Sequence, residues 1–263
     1  MRSIGLVAHH DDTATCMKKD GIDEKDINSD TSFKLNPLPD YGRSGDALAF
    51  FIGNLKALWP YFLDWMRKQS LSDPNTSIPN PLDSYTTETI STVIQRFAGN
   101  ILSLEIFWGY DTSPERLVDL NRASMVSQVC YFCDKLHLSV HPKFGSWVGF
   151  RAVVVLNATA SHLGGLEPPP PLTSLISEDE RILTEAALAD ALRATSEEYQ
   201  STGGMTLETA HKWAEMRNCV SLGREYKYLP LQSQYHYVKD PKLLRKATTK
   251  SLYIPITAWY QDH

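Results

Sequence analysis

Apolar residues recur at two spacings along the chain, and each spacing predicts a different kind of element. Nearly continuous apolar runs predict three core strands, at 46–52, 101–110 and 148–156. Apolar residues three and four positions apart predict two amphipathic helices. The first helix carries Leu55, Leu58, Trp59, Phe62 and Met66, and the second carries Ile90, Val93, Ile94 and Phe97. Strands and helices interleaved in irregular order indicate an α+β fold.

Capping signals predict where further helices begin. Asn54 follows the first predicted strand and is expected to cap the helix after it. Ser113 with Pro114 is expected to open a long helix that runs to about Leu136. The stretch 177–180, Ser-Glu-Asp-Glu, is a capping box and predicts a helix that fades near residue 203. Residues 206–218 predict another short helix.

The remaining segments divide the chain. Residues 137–140 and 148–156 are expected to form a hairpin around the loop "HPKFGSW". Residues 18–32 are charged and polar with only two isoleucines, too few apolar residues to order them. We therefore expect residues 1–32 to be a flexible N-terminal segment and residues 33–263 to form a single domain.

Composition narrows the class of protein. The chain has 263 residues, of which 42% are hydrophobic, and this is enough for a substantial core. Its net charge is −5 with no long Lys/Arg run, which argues against nucleic acid as a partner. No apolar run has the length of a membrane span or a signal peptide, so we expect a cytoplasmic protein with no membrane partner. Its four cysteines are then expected to be free thiols.

The sequence lacks the motifs of several common catalytic, cofactor and metal sites. The sequence has no G-x-S-x-G elbow, no phosphate-binding loop and no clear dinucleotide fingerprint. Cys130 and Cys133 are expected to lie within the long helix and to pack in the core, because a redox pair needs a strand-to-helix junction. The stretch 9–12, His-His-Asp-Asp, is interpreted as a solvated terminus. His137 and His141 are interpreted as turn residues, and no zinc-ligand set is complete.

Arg151 is a charged residue in an otherwise apolar strand, and its position needs a physical explanation. It lies in "GFRAVVVL", a strand whose composition predicts burial on both faces. A buried guanidinium without an anionic partner would cost several kcal/mol or more. Either Arg151 reaches an internal carboxylate, or it binds an anionic ligand.

A cluster near the C-terminus offers a second candidate site. The cluster contains tyrosines 226, 228, 235 and 237, with Gln232 and Gln234 between the two pairs. Such residues suit the wall of a wide pocket around a partly polar ligand, but a surface lid would have the same composition. Arg245, taken alone, is a surface helix residue, whereas beside Arg151 it would be a second cation for a carboxylate.

These segments resemble the CblC family of cobalamin-trafficking proteins, which are cyanocobalamin reductases and alkylcobalamin dealkylases. The resemblance is carried by "HPKFGSWVGFRAVVVL", "LNPLPDYGRSGDALAFFI", "LSLEIFWGYDTSPERLVDLNRASMVSQVCYF" and "YLPLQSQYHYVKDPKLLR", which cover about two thirds of the chain. It implies a flavin-nitroreductase-like α+β fold with an antiparallel or mixed sheet and packed helices.

The resemblance also implies an activity and its residues. A large pocket would hold cobalamin, and the thiolate of glutathione would remove the cobalt-bound alkyl group, or a reductant would remove cyanide. Arg151 and Arg245 would bind glutathione. The pocket would be formed by Ser124, His141, Phe144, Trp147, Tyr228, Gln232 and Tyr235. Flavin as a cofactor and a homodimer follow from analogy of fold alone.

One position departs from the family and keeps alternatives open. The family commonly has a histidine near the corrin, and Ser124 stands at that position. Imidazole is a strong cobalt ligand and serine is not. The same fold with a repurposed pocket would act on another small molecule without cobalamin, as a biosynthetic isomerase, cyclase or reductase. A third hypothesis is a non-enzymatic module that hands a cofactor to a partner.

Overall fold

The computed structural model describes residues 4–7, 38–42, 47–72, 78–97, 103–159, 170–202 and 205–251. Six strands are formed by β1 (Ile4–Val7), β2 (Leu48–Asn54), β3 (Leu104–Trp108), β4 (Tyr131–Cys133), β5 (Leu138–Val140) and β6 (Gly149–Leu156). The helices are α1 (Leu58–Ser72), α2 (Pro81–Phe97), α3 (Leu120–Val126), α4 (Glu178–Thr202), α5 (Leu207–Asn218), α6 (Pro230–Val238) and α7 (Pro241–Ser251).

The main sheet has the strand order β1-β2-β6-β3, and each neighbouring pair is antiparallel. Its three longer strands confirm the apolar runs that predicted them. β6 lies inside the sheet, and residues 152–156 are all buried, as expected for a strand covered on both faces. The α+β class is confirmed, and the described sheet contains antiparallel pairs only.

The strand β1 falls within the segment that we expected to be flexible. Residues 4–7 pair with residues 48–51 of β2 and form one edge of the sheet. The other residues of the segment 1–32 lie outside the described part of the chain.

The long helix predicted after Pro114 is wrong. The structure has a seven-residue helix, α3, which begins after Asp119, whose carboxylate accepts a hydrogen bond from the Arg122 N–H at 3.0 Å. Gln128 then adopts a left-handed backbone with φ of 55°, which no helix continues through. The following residues 129–133, Val-Cys-Tyr-Phe-Cys, are β-branched or aromatic or small and apolar, and they enter β4.

The predicted hairpin between residues 137–140 and 148–156 is also wrong. β5 pairs with β4 in a separate two-stranded sheet, while β6 pairs with β2 and β3. The loop between β5 and β6 closes on itself instead, because His141 and Gly145 exchange two backbone hydrogen bonds of 2.9 Å.

The helices confirm most of the predicted faces. Trp59, Phe62 and Leu63 of α1 are buried against α2, α6 and α7. Val93 of α2 is exposed, so it does not belong to the buried face assigned to it. α2 begins at Pro81, ahead of Ile90, the first residue of the apolar pattern that predicted it.

The capping box at the start of α4 is confirmed. The backbone N–H of Ser177 donates to the Glu180 carboxylate at 2.9 Å, and the backbone N–H of Glu180 donates to the Ser177 hydroxyl at 3.3 Å. α5, which confirms the short helix predicted after it, packs along α4.

Two glycines bring the β5–β6 loop against the connection between α5 and α6. Gly145 has φ of +58° and Gly223 has φ of +75°, a backbone conformation that side chains disfavour. A Cβ on Gly145 would lie 1.8 Å from the carbonyl oxygen of Leu222, and one on Gly223 would lie 2.3 Å from the carbonyl carbon of Phe144. The two backbones therefore touch, and this contact positions the segment that leads into α6.

We expect Gly145→Ala to destabilise the protein strongly, since its Cβ meets backbone atoms that have nowhere to move. Gly42→Ala is the matched control, because Gly42 has φ of +73° and no atom within 4 Å of its Cβ position. Chemical denaturation should show a loss of about 1 kcal/mol for the control and at least about 3 kcal/mol for Gly145→Ala. Equal losses would contradict the close contact.

Candidate functional site

The site is built around Arg151, near the start of β6. Its side chain is 13% exposed, and its Nε donates to the Asn54 side-chain oxygen at 2.5 Å. Asn54 is the last residue of β2 and was predicted to cap α1; that prediction is wrong, because α1 begins at Leu58 and the Asn54 oxygen is held by Arg151.

The only carboxylate near Arg151 among the described residues is a loose partner. Asp83 Oδ1 lies 3.7 Å from Arg151 Nη1, which is longer than a hydrogen bond. Burial lowers the pKa of the guanidinium, opposed by the charges of Tyr228 and Asp83. The first alternative raised by the sequence is therefore met in part: an internal carboxylate is present, but at 3.7 Å it leaves the guanidinium incompletely paired.

A small pocket, partly open to solvent, lies beside Arg151 and has a cavity volume of about 10 Å³. Its walls come from four parts of the fold: the end of β2 with α1, the start of α2, β6, and α6. The lining residues are Asn54, Leu58, Trp59, Leu82, Arg151, Tyr228, Gln232, Tyr235 and His236. That volume holds about one water molecule, so a larger ligand would have to occupy the open side of the pocket.

The tyrosine segment supplies the inner wall of this pocket. Tyr228, Gln232 and Tyr235, all predicted pocket residues, are buried and line it. The ring of Tyr235 packs 5.8 Å from Trp59 and 6.2 Å from Phe62, measured between centroids. Burial, and after it the charge of Asp83, raises the pKa of Tyr235 to about 12. Tyr235 is therefore an uncharged wall residue at neutral pH.

Because Gly149 has no side chain, the Asn54 and Tyr228 side chains can approach the guanidinium of Arg151. A Cβ there would lie 2.8 Å from the Asn54 oxygen, 3.0 Å from the Tyr228 hydroxyl and 3.4 Å from Arg151 Nη2. The missing side chain leaves room for these three groups around the start of β6.

His236 is a pocket residue that sequence reasoning missed. Its ring lies 5.5 Å from that of Tyr228 and 4.8 Å from that of Tyr237. Burial lowers its pKa well below the usual value, and the charges of Arg217, Lys239 and Arg151 act in the same direction. His236 is therefore uncharged at neutral pH. In the sequence, His236 stands between Tyr235 and Tyr237 and belongs to no recognised motif. The sequence therefore provides no reason to place it in a binding site.

Arg217, near the end of α5, is a second missed cation. Its guanidinium carbon lies 5.8 Å from the ring of Trp147 and 5.7 Å from that of Tyr237. Among the described residues, four buried polar atoms in this neighbourhood have no hydrogen-bond partner: Arg217 Nη1, Trp147 Nε1, Tyr228 Oη and Tyr237 Oη. Buried polar groups are almost always paired in native proteins, so such a cluster marks a place for a ligand group or water.

Two predicted site residues lie away from this pocket. Ser124 is fully buried in α3, where its hydroxyl donates to the Asn121 carbonyl at 2.7 Å. Arg245 is exposed on α7, whose buried face is formed by Leu244 and Ala247. Neither lines the pocket at Arg151.

The three predicted pocket residues of the β5–β6 loop are His141, Phe144 and Trp147, and they lie behind or beside the tyrosine wall of the pocket. Trp147 is buried, with its ring 5.5 Å from that of Tyr228. Phe144 packs 4.5 Å from His141 and 4.8 Å from Tyr226, centroid to centroid. His141 and Phe144 are absent from the residues that line the pocket, so their contribution is to support the tyrosine segment.

The cysteines and histidines behave as structural residues. Cys130 and Cys133 are buried free thiols in and beside β4, and burial raises the pKa of Cys130 to about 12. His137 is an exposed turn residue with φ of 46°. No group of three or more His, Cys, Asp or Glu side chains within the described ranges is arranged to hold a metal ion. The stretch 9–12 lies outside those ranges.

Comparison with solved structures shows what the fold is similar to. The chain resembles the crystal structure of the B12-trafficking protein CblC of C. elegans, a homologue of human MMACHC, with a TM-score of 0.59 over 93% of this chain and 90% of that one. The fold is CblC-like. The two sequences are 14% identical, so the likeness concerns the fold. No family model and no curated protein sequence matches the chain.

A search for membrane spans finds none: no helix in the described part of the chain is both long and apolar enough to cross a bilayer.

His141 should make stability depend on pH. Its Nδ1 accepts backbone hydrogen bonds from Lys143 at 2.9 Å and Phe144 at 3.2 Å, and burial followed by the Lys143 charge lowers its pKa to about 4. The unfolded chain takes up this proton near pH 6.5. The stabilisation is therefore complete above about pH 6.5 and is lost as the pH falls towards about 4, by up to about 2 kcal/mol.

Denaturation of the wild type and His141→Asn between pH 7.5 and 4 measures this contribution. Asparagine offers an oxygen to the same backbone N–H groups without titrating. We expect the wild type to lose more stability than the variant over this range. Both proteins should lose some stability as the pH falls, because both keep the buried His236. Equal losses of unfolding free energy in the two proteins would contradict the role of His141.

Proposed function

We propose that this chain binds a small carboxylate-bearing molecule at Arg151 and acts in cobalamin processing of the CblC type, with glutathione as that molecule. The observation that carries the proposal is the buried guanidinium of Arg151, which borders a pocket and has its nearest carboxylate 3.7 Å away. A ligand carboxylate could pair with it more closely than Asp83 does. The CblC-like fold supports the cobalamin part.

The charges around the pocket favour an anionic ligand. Arg151, Arg217 and Lys239 all act on the pKa of His236, and Asp83 is the acid that acts on Arg151. Among the described residues, these interactions involve two arginines and a lysine against one aspartate, and this local excess of positive charge attracts anions. Arg217 replaces Arg245 as the proposed second cation, because Arg245 is exposed on α7.

The same field supports thiol chemistry. A thiol is a nucleophile as its thiolate, and neighbouring positive charge lowers thiol pKa values. In the proposed dealkylation the glutathione sulfur attacks the alkyl carbon bound to cobalt. A carbon–sulfur bond forms, the carbon–cobalt bond breaks, and its electron pair stays on cobalt as reduced cobalamin. Arg151 and Arg217 hold the glutathione, and uncharged His236 and Tyr235 form the wall beside it.

Ser124 favours a second candidate function. Its hydroxyl is fully buried and donates to Asn121, so it offers no ligand to a cobalt ion in the pocket. The pocket at Arg151 is also far smaller than a corrin ring. A repurposed pocket that processes another small acid without cobalamin would use the same Arg151. Flavin and a homodimer remain predictions from analogy of fold.

Visible spectroscopy tests the first candidate. Methylcobalamin or cyanocobalamin added to the protein with glutathione should change its absorption spectrum as the cobalt loses its upper ligand. Unchanged spectra at saturating cobalamin and glutathione, while glutathione alone raises the melting temperature, would select the repurposed pocket. Stoichiometric spectral change without turnover would select the carrier module.

Replacement of Arg151 tests the ligand site itself. Arg151→Met should weaken glutathione binding about thirtyfold or more, since a buried charge pair is lost. The variant should also lose stability, because the buried Asn54 oxygen loses its donor and Asp83 loses its cation, so circular dichroism first confirms that it is folded. Arg245→Met is the control and should bind as the wild type does. Calorimetric titration of the three proteins measures this, and equal binding by Arg151→Met would contradict the site.

A further inference from the structure

Asp83 approaches Arg151 without closing an ion pair. It lies in the first turn of α2, and its side chain is 29% exposed. The distance of 3.7 Å between Oδ1 and Arg151 Nη1 exceeds hydrogen-bonding distance. No other Lys, Arg or His of the described residues comes within 4.0 Å of this carboxylate. Both groups therefore keep capacity to bind a third partner.

Asp83 lies next to the pocket that contains Arg151, although it is not one of the lining residues. Its neighbour in the chain, Leu82, lines the pocket, and its charge acts on Tyr235, another lining residue. A molecule whose carboxylate pairs with Arg151 therefore lies within reach of the Asp83 charge.

The two charges together fit a zwitterion better than a simple acid. A ligand with only a carboxylate would place a second negative charge beside Asp83, and like charges a few ångströms apart repel at a partly buried site. An α-amino acid carries an ammonium group two bonds from its carboxylate carbon. With the carboxylate on Arg151 and the ammonium on Asp83, the four charges alternate in sign and each pair of neighbours attracts.

We infer that Asp83 binds the ammonium group of the ligand, and that the pocket selects the zwitterionic α-amino-acid end of a small molecule over a simple carboxylic acid. The inference rests on the proposed function, because it requires a ligand carboxylate on Arg151. It assigns Asp83 as the specificity-determining residue of the pocket.

Two probes that differ only in the amine test the inference. Glutathione carries the α-amino group, and glutaryl-cysteinyl-glycine lacks it while it keeps both carboxylates and the thiol. Calorimetric titration compares them on the wild type, on Asp83→Asn, and on Glu197→Gln, a control that removes one acid from the exposed surface of α4. Circular dichroism confirms that each variant is folded.

The wild type and the control should bind glutathione about tenfold more tightly than its deamino analogue, the range expected for a charge-assisted hydrogen bond. Asp83→Asn should lose that preference, because glutathione binds more weakly and the analogue does not. Equal affinities on the wild type, a preference kept by Asp83→Asn, or tighter binding of both probes by that variant would overturn the inference.

The two proposals fail in different ways. Where both probes bind the wild type equally and Arg151→Met abolishes both, the carboxylate site stands and the role of Asp83 falls. Where neither probe binds the wild type, the proposed function falls and the inference falls with it.

Discussion

A guanidinium held inside an apolar sheet is the constraint on which the site depends. Arg151 projects from β6, a strand whose later residues are all buried, and its Nε is tied to Asn54 at the end of β2. That hydrogen bond fixes the head of the arginine at the edge of the two central strands. Arg151 also lines a pocket, and Asp83, its nearest carboxylate among the described residues, lies 3.7 Å from Nη1, beyond hydrogen-bonding distance.

The pocket wall is positioned by contacts far from it in sequence. The close approach of Gly145 and Gly223 brings the α5–α6 connection against the β5–β6 loop. That connection carries Tyr228, and α6 follows with Tyr235 and His236. Behind this wall, Trp147 and Arg217 hold polar atoms without partners in the described part of the chain. In natural proteins, buried polar atoms without hydrogen-bond partners occur mainly at functional sites.

The sequence predicted the parts of this fold that local pattern determines. The apolar runs of β2, β3 and β6, the buried face of α1 and the capping box of α4 are each encoded within a few neighbouring residues. The helix after Pro114 was wrong because its apolar spacing also fits the short helix and strand that replace it. The left-handed Gln128, which ends that helix, carries no sequence signal as strong as glycine or proline.

The site was predictable only in part, for the same reason. Arg151 stood out because a cation in an apolar strand violates a local rule, and the tyrosine segment stood out by composition. Arg217 and His236 lie in ordinary helices, and only tertiary packing brings His236 into the pocket wall and Arg217 against the rings of Trp147 and Tyr237 behind it. The choice of Arg245 as the second cation used its sequence context, whereas the helical register of α7 turns it to the exposed side.

Nuclear magnetic resonance of the Arg151 Nε–H group offers the most direct test that this guanidinium receives an anionic ligand. The signal, assigned by its loss in Arg151→Met, should be visible in the free protein because the proton is held by Asn54. The account predicts that glutathione shifts this signal in a saturable way. A signal that stays in place at saturating glutathione would contradict the account.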